Sequence, residues 1–179
     1  MSNIQDYLDF LKACQYGKID TIKQTFKETY RLSDALLFAC EGEHYEVIDY
    51  LISKGSKDWN SGLSGACRGG HLEIAQNMIA RGATDYNDGL TSACIGRLNN
   101  REQSINYFKL MKLMIEKGAN TSHNVFTRAY INCYEGRKTV IKLLDLGLDA
   151  DKLKHLKGFK ELIKHLADIR SEKDQLDNC

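Results

Sequence analysis

The chain has 179 residues, 42% hydrophobic and 27% charged, which is the usage of a folded domain rather than a disordered chain. Its 25 basic and 24 acidic side chains leave a formal net charge of +1, so no global electrostatic footprint for nucleic acid or an anionic membrane is present. It holds no apolar run of about 18 residues and no basic-then-apolar leader, so the sequence predicts an intracellular, cytoplasmic protein.

Proline is absent and glycine occurs at 14 positions, which suits helices joined by tight turns. The first predicted unit, 5–31, contains Ala13-Cys14, Gly17, Ile22 and Phe26, with Thr29 where later units carry glycine. A polar, atypical end unit of this kind suits a cap. The second unit, 32–58, contains Ala39-Cys40, then Val47, Ile48, Leu51 and Ile52, then Gly55. The third, 59–85, contains Ala66-Cys67, then Ile74, Ala75, Met78 and Ile79, then Gly82. From Cys40 to Cys67 is 27 residues, and from Cys67 to Cys94 is 27 again. Cysteine to glycine is 15 residues in both of these units, and glycine to the next cysteine is 12.

Two landmark series in one register define a repeat, and apolar residues at i, i+1, i+4 and i+5 mark one helix face. The glycine that follows suits a left-handed helix end. A shorter helix ending near the Ala-Cys pair is predicted ahead of each apolar helix. A lone hairpin of this kind cannot bury its apolar face, but a stack can.

The fourth unit, 86–121, contains Ala93-Cys94, Leu110, Met111, Met114, Ile115 and Gly118, with nine extra residues within Arg97–Tyr107. The fifth, 122–150, contains Cys133, Thr139, Val140, Leu143, Leu144 and Gly147, with three extra residues before its cysteine. Residues 151–170 carry a helical stripe of Leu153, Leu156, Phe159, Leu162, Ile163, Leu166 and Ile169, read as a C-terminal cap. Residues 171–179 are read as a frayed tail, so 1–170 is expected to form a single domain.

Cys67-Arg68-Gly69-Gly70-His71-Leu72-Glu73-Ile74, followed by Met78-Ile79-Ala80-Arg81-Gly82-Ala83, resembles the second half of an ankyrin repeat, as does Cys40–Ile48. The family's Thr-Pro-Leu-His signature is missing, and the unit is shorter than the family's repeat of about 33 residues. The shortening falls where the family carries a β-hairpin finger; here stand Asp58-Trp59-Asn60-Ser61-Gly62-Leu63 and Asp85-Tyr86-Asn87-Asp88-Gly89-Leu90. This style is similar to the short ankyrin-like repeats of large DNA viruses of protists. The resemblance covers roughly 5–148 and implies an all-α, ankyrin-like α-solenoid of stacked helix-turn-helix repeats with shortened or absent fingers. It further implies a non-catalytic scaffold or adapter that binds a host or viral protein in the host cytoplasm. A structural part of a virion or other large assembly is the alternative.

Chemistry-bearing motifs are few. No phosphate-binding loop, His-Glu-x-x-His helix or Gly-x-Ser-x-Gly elbow occurs, so no enzyme, cofactor or metal site is expected. The six cysteines lack the close pairs of zinc sites, and one repeat apart they are too distant for disulfides. They are read as small buried side chains, with Cys179 exposed. His44 and His71 are expected to join the turn between paired helices. Asp58 and Asp85, or Asn60 and Asn87, are expected to cap the following helices.

The expected partner surface is the row of first helices and their preceding loops. It takes in Lys57, Trp59, Ser61, Ser64 and Arg68, then Thr84, Tyr86, Asp88, Thr91 and Ile95, then Arg97, Arg101 and Tyr107 of the insertion. Trp59 and Tyr86 read either as packing wedges or as anchors, since large aromatics dominate many interfaces. Lys152, Lys154, Lys157, Lys160 and Lys164 outnumber the local acids Asp151 and Glu161. They read as a solvated cap face, with nucleic-acid contact as the further alternative. The chain is expected to be monomeric when isolated.

Overall fold

The computed structural model describes residues 4–99, 104–120, 134–154, 159–160 and 163–164. Every regular element among them is helical. The chain divides into two units, Met1–Ala119 and Asn120–Cys179.

In the first unit the described helices form four consecutive hairpins: α1 (Ile4–Gln15) with α2 (Ile19–Thr25), α3 (Leu32–Glu41) with α4 (Tyr45–Ser53), α5 (Trp59–Gly69) with α6 (Leu72–Ala80), and α7 (Tyr86–Asn99) with α8 (Ser104–Glu116). The first helices of the hairpins pack against one another in chain order, α1 on α3, α3 on α5 and α5 on α7. Small residues make this approach possible. A Cβ on Gly65 of α5 would collide with the Leu37 carbonyl oxygen of α3, and one on Gly96 of α7 would collide with the Arg68 carbonyl oxygen of α5. Ala39, Cys40, Ala66, Cys67, Ala93 and Cys94 are wholly shielded on the same helices.

The second helices supply the larger apolar side chains. Val47, Ile48 and Leu51 of α4, Ile74, Ala75 and Met78 of α6, and Leu110, Met111, Met114 and Ile115 of α8 are all buried. Each such side chain stabilises the fold by about 1.5–3 kcal/mol if leucine-sized. One lock recurs a repeat apart: a Cβ on Gly62 would meet Met78 Sδ at 2.6 Å, and a Cβ on Gly89 would meet Met114 Sδ at 2.6 Å. A missing side chain on the first helix thus makes room for the methionine of the second.

The hairpins close as the glycine series predicts: Gly55, Gly82 and Gly118 have φ of 96°, 115° and 107°, a region that disfavours any Cβ. The first helices, however, are not the shorter ones. α3 has 10 residues against nine in α4, and α5 has 11 against nine in α6. The helix runs on past the Ala-Cys pair to Glu41 and Gly69 before the chain turns.

In the fourth hairpin, residues 97–99 and 104–107 of the insertion are helical; residues 100–103 lie outside the described residues. α7 has 14 residues and α8 has 13, each longer than its counterpart in the third hairpin.

The first hairpin replaces the missing terminal glycine with aromatic packing. Phe10 stacks 4.8 Å from Tyr30 and 6.2 Å from Phe26, centroid to centroid. Its outer face is less polar than the sequence suggests: α1 exposes Asp6, Asp9 and Lys12 but also Ile4 (77% exposed) and Leu8 (44%).

In the second unit, α9 (Tyr134–Asp145) buries Thr139, Val140 and Leu143 and ends at Gly147, φ 79°. A 3-10 turn, Ala150–Lys152, follows, capped by the Asp149 carboxylate on the Asp151 amide at 3.0 Å. Leu153 and Phe159 are buried, in keeping with the apolar stripe.

Candidate partner-binding surface

The residues named from sequence separate to the two ends of the first helices. Trp59, Tyr86 and Asp88 stand at the N-terminal ends of α5 and α7; Arg68 and Arg97 stand near their C-terminal ends. On an 11-residue helix such as α5 the two ends are about 15 Å apart.

At the N-terminal end the short loops between hairpins are held by their own side chains. Asp58 caps α5 by accepting from the Ser61 amide at 3.1 Å and the Ser61 hydroxyl at 2.9 Å. Asp85 does the same for α7, accepting from the Asp88 amide at 3.0 Å. Asn60 has a different task from capping. Its side-chain oxygen accepts from the Thr84 and Asp85 amides of the next repeat, at 2.8 and 3.0 Å, and so clasps one loop to the next.

Trp59 is half-buried. The Arg81 guanidinium lies 5.3 Å from its ring centroid, and Gly82 passes beside it, so it packs on the closing turn of its own hairpin. Arg81 is steadied in turn by the Asn77 side chain at 2.7 Å. Tyr86 is half-buried one repeat on, and Lys57, Thr84 and Asp88 are exposed. Ser64 does not belong to this surface: it is 5% exposed, and its hydroxyl pairs with that of Ser92 at 2.8 Å. Its place on α5 faces the neighbouring helix, where only small side chains fit.

At the C-terminal end a ladder of side chains caps one helix after another. His44 Nε2 lies 2.9 Å from the Gln15 carbonyl oxygen that ends α1. His71 Nε2 lies 3.0 Å from the Glu41 carbonyl oxygen that ends α3, and its Nδ1 faces the Glu43 carboxylate at 3.4 Å. A carbonyl only accepts, so in both cases an imidazole N–H donates. The Tyr107 hydroxyl donates to the Arg68 carbonyl of α5 at 3.1 Å.

Tyr107 is therefore no surface anchor. It is 1% exposed, because the lengthened hairpin brings a tyrosine from α8 to the place that histidine occupies elsewhere. Arg97 lies with its guanidinium 4.8 Å from the centroid of the Phe108 ring. Arg101 lies outside the described residues.

Beneath this ladder an open groove of about 400 Å³ crosses the helix ends, lined among others by Tyr16, Glu41, Arg68, His71 and Asn99. Glu41 Oε2 and Arg68 Nε are shielded from water and, among the described residues, have no hydrogen-bond partner. Lost hydration raises the Glu41 carboxyl above its ordinary value, against the pull of Arg68 and His71. The sequence alone does not single out Glu41, Tyr16 or Asn99. The visible signal was a histidine four residues after Cys40 and Cys67, which marks where the preceding helix ends.

Lys152, Lys154, Lys160 and Lys164 are exposed; Lys157 lies outside the described residues. Burial pushes the Cys14 and Cys40 thiols up to about 12, and pushes Cys67 up as well. A thiol so far from ionising is a poor metal ligand or nucleophile. No helix among the described residues is long and apolar enough to cross a membrane. No family model matches the chain, and no curated protein matches it.

Proposed function

We propose that the chain is a non-catalytic binding module, an ankyrin-like stack whose shortened loops and first-helix N-termini hold a protein partner. The observation that carries this reading is the repeated loop end: Asp58-Trp59-Asn60 and Asp85-Tyr86-Asn87 place an aromatic at the same helix start in successive repeats. Both aromatics are only half-buried, and their backbone is fixed by the aspartate caps and the Asn60 clasp. Rigid, partly exposed aromatics lose little conformational freedom on binding, which is why they so often anchor interfaces. The stacked hairpins and the register of landmarks support the ankyrin-like arrangement. The resemblance to viral repeats supports a host or viral protein as the partner.

Affinity capture with the purified chain, followed by mass spectrometry, tests the reading. Trp59→Ala and Tyr86→Ala should each weaken binding of the captured protein by tenfold or more, about the 1.4 kcal/mol or greater expected of an aromatic anchor. Unchanged affinity in both variants refutes this surface. Recovery of the chain only from assembled particles favours a structural component instead. The exposed lysines of the second unit favour a lesser reading, contact with nucleic acid, which a steep loss of binding with added salt would support.

A further inference from the structure

The groove at the C-terminal ends of the first helices stands apart from the surface proposed above, since Arg68 and Trp59 are at opposite ends of α5. We infer that this groove is a second binding site, and that it takes a carboxamide side chain, Asn or Gln, presented by a partner protein.

The argument starts from what the groove lacks. Among the described residues, Glu41 Oε2 is an acceptor without a donor and Arg68 Nε is a donor without an acceptor; both are withdrawn from water. Leaving such groups unmatched is unfavourable, the more so where a charge is involved. Most buried polar groups in native proteins are matched, so two unmatched ones lining one cavity call for an explanation.

The complement must suit both. A cation would satisfy Glu41 but face the Arg68 guanidinium; an anion would satisfy Arg68 but face Glu41 and the carbonyl ends of α1, α3, α5 and α7. A neutral group that donates through one atom and accepts through another satisfies both at once, and a carboxamide does this within one plane. The cavity, about 400 Å³, is within the usual range for small ligands, about 300–1,000 Å³. Both side chains are half-buried and line the groove. Tyr16, 65% exposed at the rim, provides an apolar wall for the neighbouring part of the partner. The nearby backbone does not depend on these side chains: the Arg68 group that Tyr107 holds is the main-chain carbonyl.

The test is an amide-resolved NMR titration of the full chain with N-acetylglutaminamide. Parallel titrations use the free glutamate analogue, the norvaline analogue and agmatine. Saturable shifts at the Gly42, Gly69 and Gly96 amides with the carboxamide, and weaker binding of the other three, are expected. Glu41→Ala and Arg68→Ala should each weaken the carboxamide by about tenfold, while Trp59→Ala leaves it unchanged.

No saturable shift at these glycines overturns the inference. So does tighter binding of agmatine, which would mark a simple cation site, or unchanged affinity in both groove variants. Should a groove variant fail to fold, the ranking of the four probes on the unaltered chain decides alone. A null result here leaves the Trp59–Tyr86 surface untouched, since that surface is read by partner capture.

Discussion

The Tyr107 hydroxyl donates to the Arg68 carbonyl at 3.1 Å, 39 residues back along the chain. It closes the end of α5 as the imidazoles of His44 and His71 close the ends of α1 and α3. Helix C-termini leave carbonyls without internal partners, and in this stack each following repeat provides the missing donor. Tyr107→Phe keeps the ring and removes that donor. It should lower stability by about 1–2 kcal/mol, read from the denaturation midpoint with an unchanged denaturant slope. A variant as stable as the parent would show that water replaces the hydroxyl.

Two glycine substitutions separate steric from conformational cost. Gly55 has open space around it but φ of 96°, so Gly55→Ala should cost about 1–2 kcal/mol from backbone strain alone. Gly65 lies on the helix face that meets the Leu37 carbonyl, where a methyl group has backbone to displace. Gly65→Ala should therefore cost more, about 3 kcal/mol or beyond, and should loosen the amide protection of α3 and α5 together. Equal costs at the two positions would contradict the close packing of these helices.

Much of this architecture is legible in the sequence because local rules dictate it. The glycine after each apolar helix is required by a left-handed backbone, and Ala-Cys pairs mark where helices touch; both recur every 27 residues from Cys40 to Cys94. What is hidden depends on stacking. Glu41 and Arg68 meet at one groove only because α3 lies on α5, and no spacing rule within a repeat reveals that. Arg68 was visible as a non-repeating residue, but its orphaned Nε was not. Tyr107 was misplaced for a related reason: the insertion breaks register, so the sequence presents it as surplus surface when it is the lengthened hairpin's substitute for histidine.

Glu41 makes the stability depend on pH. Its carboxyl is raised in the folded chain, chiefly by lost hydration, so across the window above the ordinary carboxylate value the folded state holds more protons than the unfolded state. Stability is then greatest below that window and falls as pH rises through it. Glu41→Gln removes the titration. The difference in melting temperature between variant and parent should shift in favour of the variant as pH rises from the acid side towards neutrality. A difference that shifts the other way would mean that Arg68 already neutralises the carboxylate.

The buried thiols should resist alkylation. Cys14, Cys40, Cys67 and Cys94 are buried and in no disulfide, and desolvation holds Cys14 and Cys40 near 12, so those two hold almost no thiolate at neutral pH. Iodoacetamide followed by peptide mapping should leave these four unmodified in the native chain and modify them all in denaturant. Native labelling at any of the four, at a rate independent of denaturant, would show that its helix opens without global unfolding.

The Asn60 clasp predicts that the loops, not only the helices, couple one repeat to the next. Its side-chain oxygen holds the Thr84 and Asp85 amides, and Asp85 is the residue that caps α7. Asn60→Ala leaves two backbone donors to water at an exposed site and frees the cap, with an expected cost of about 1–2 kcal/mol. Asn60→Asp keeps an acceptor at the same place and should recover most of that loss. Hydrogen exchange distinguishes this from a general weakening: the Thr84, Asp85 and Asp88 amides should lose protection in Asn60→Ala and keep it in Asn60→Asp, while the amides in the middle of α6 are unaffected. If both variants lose protection equally, the side-chain amide is contributing something other than its oxygen, and the clasp as described is wrong.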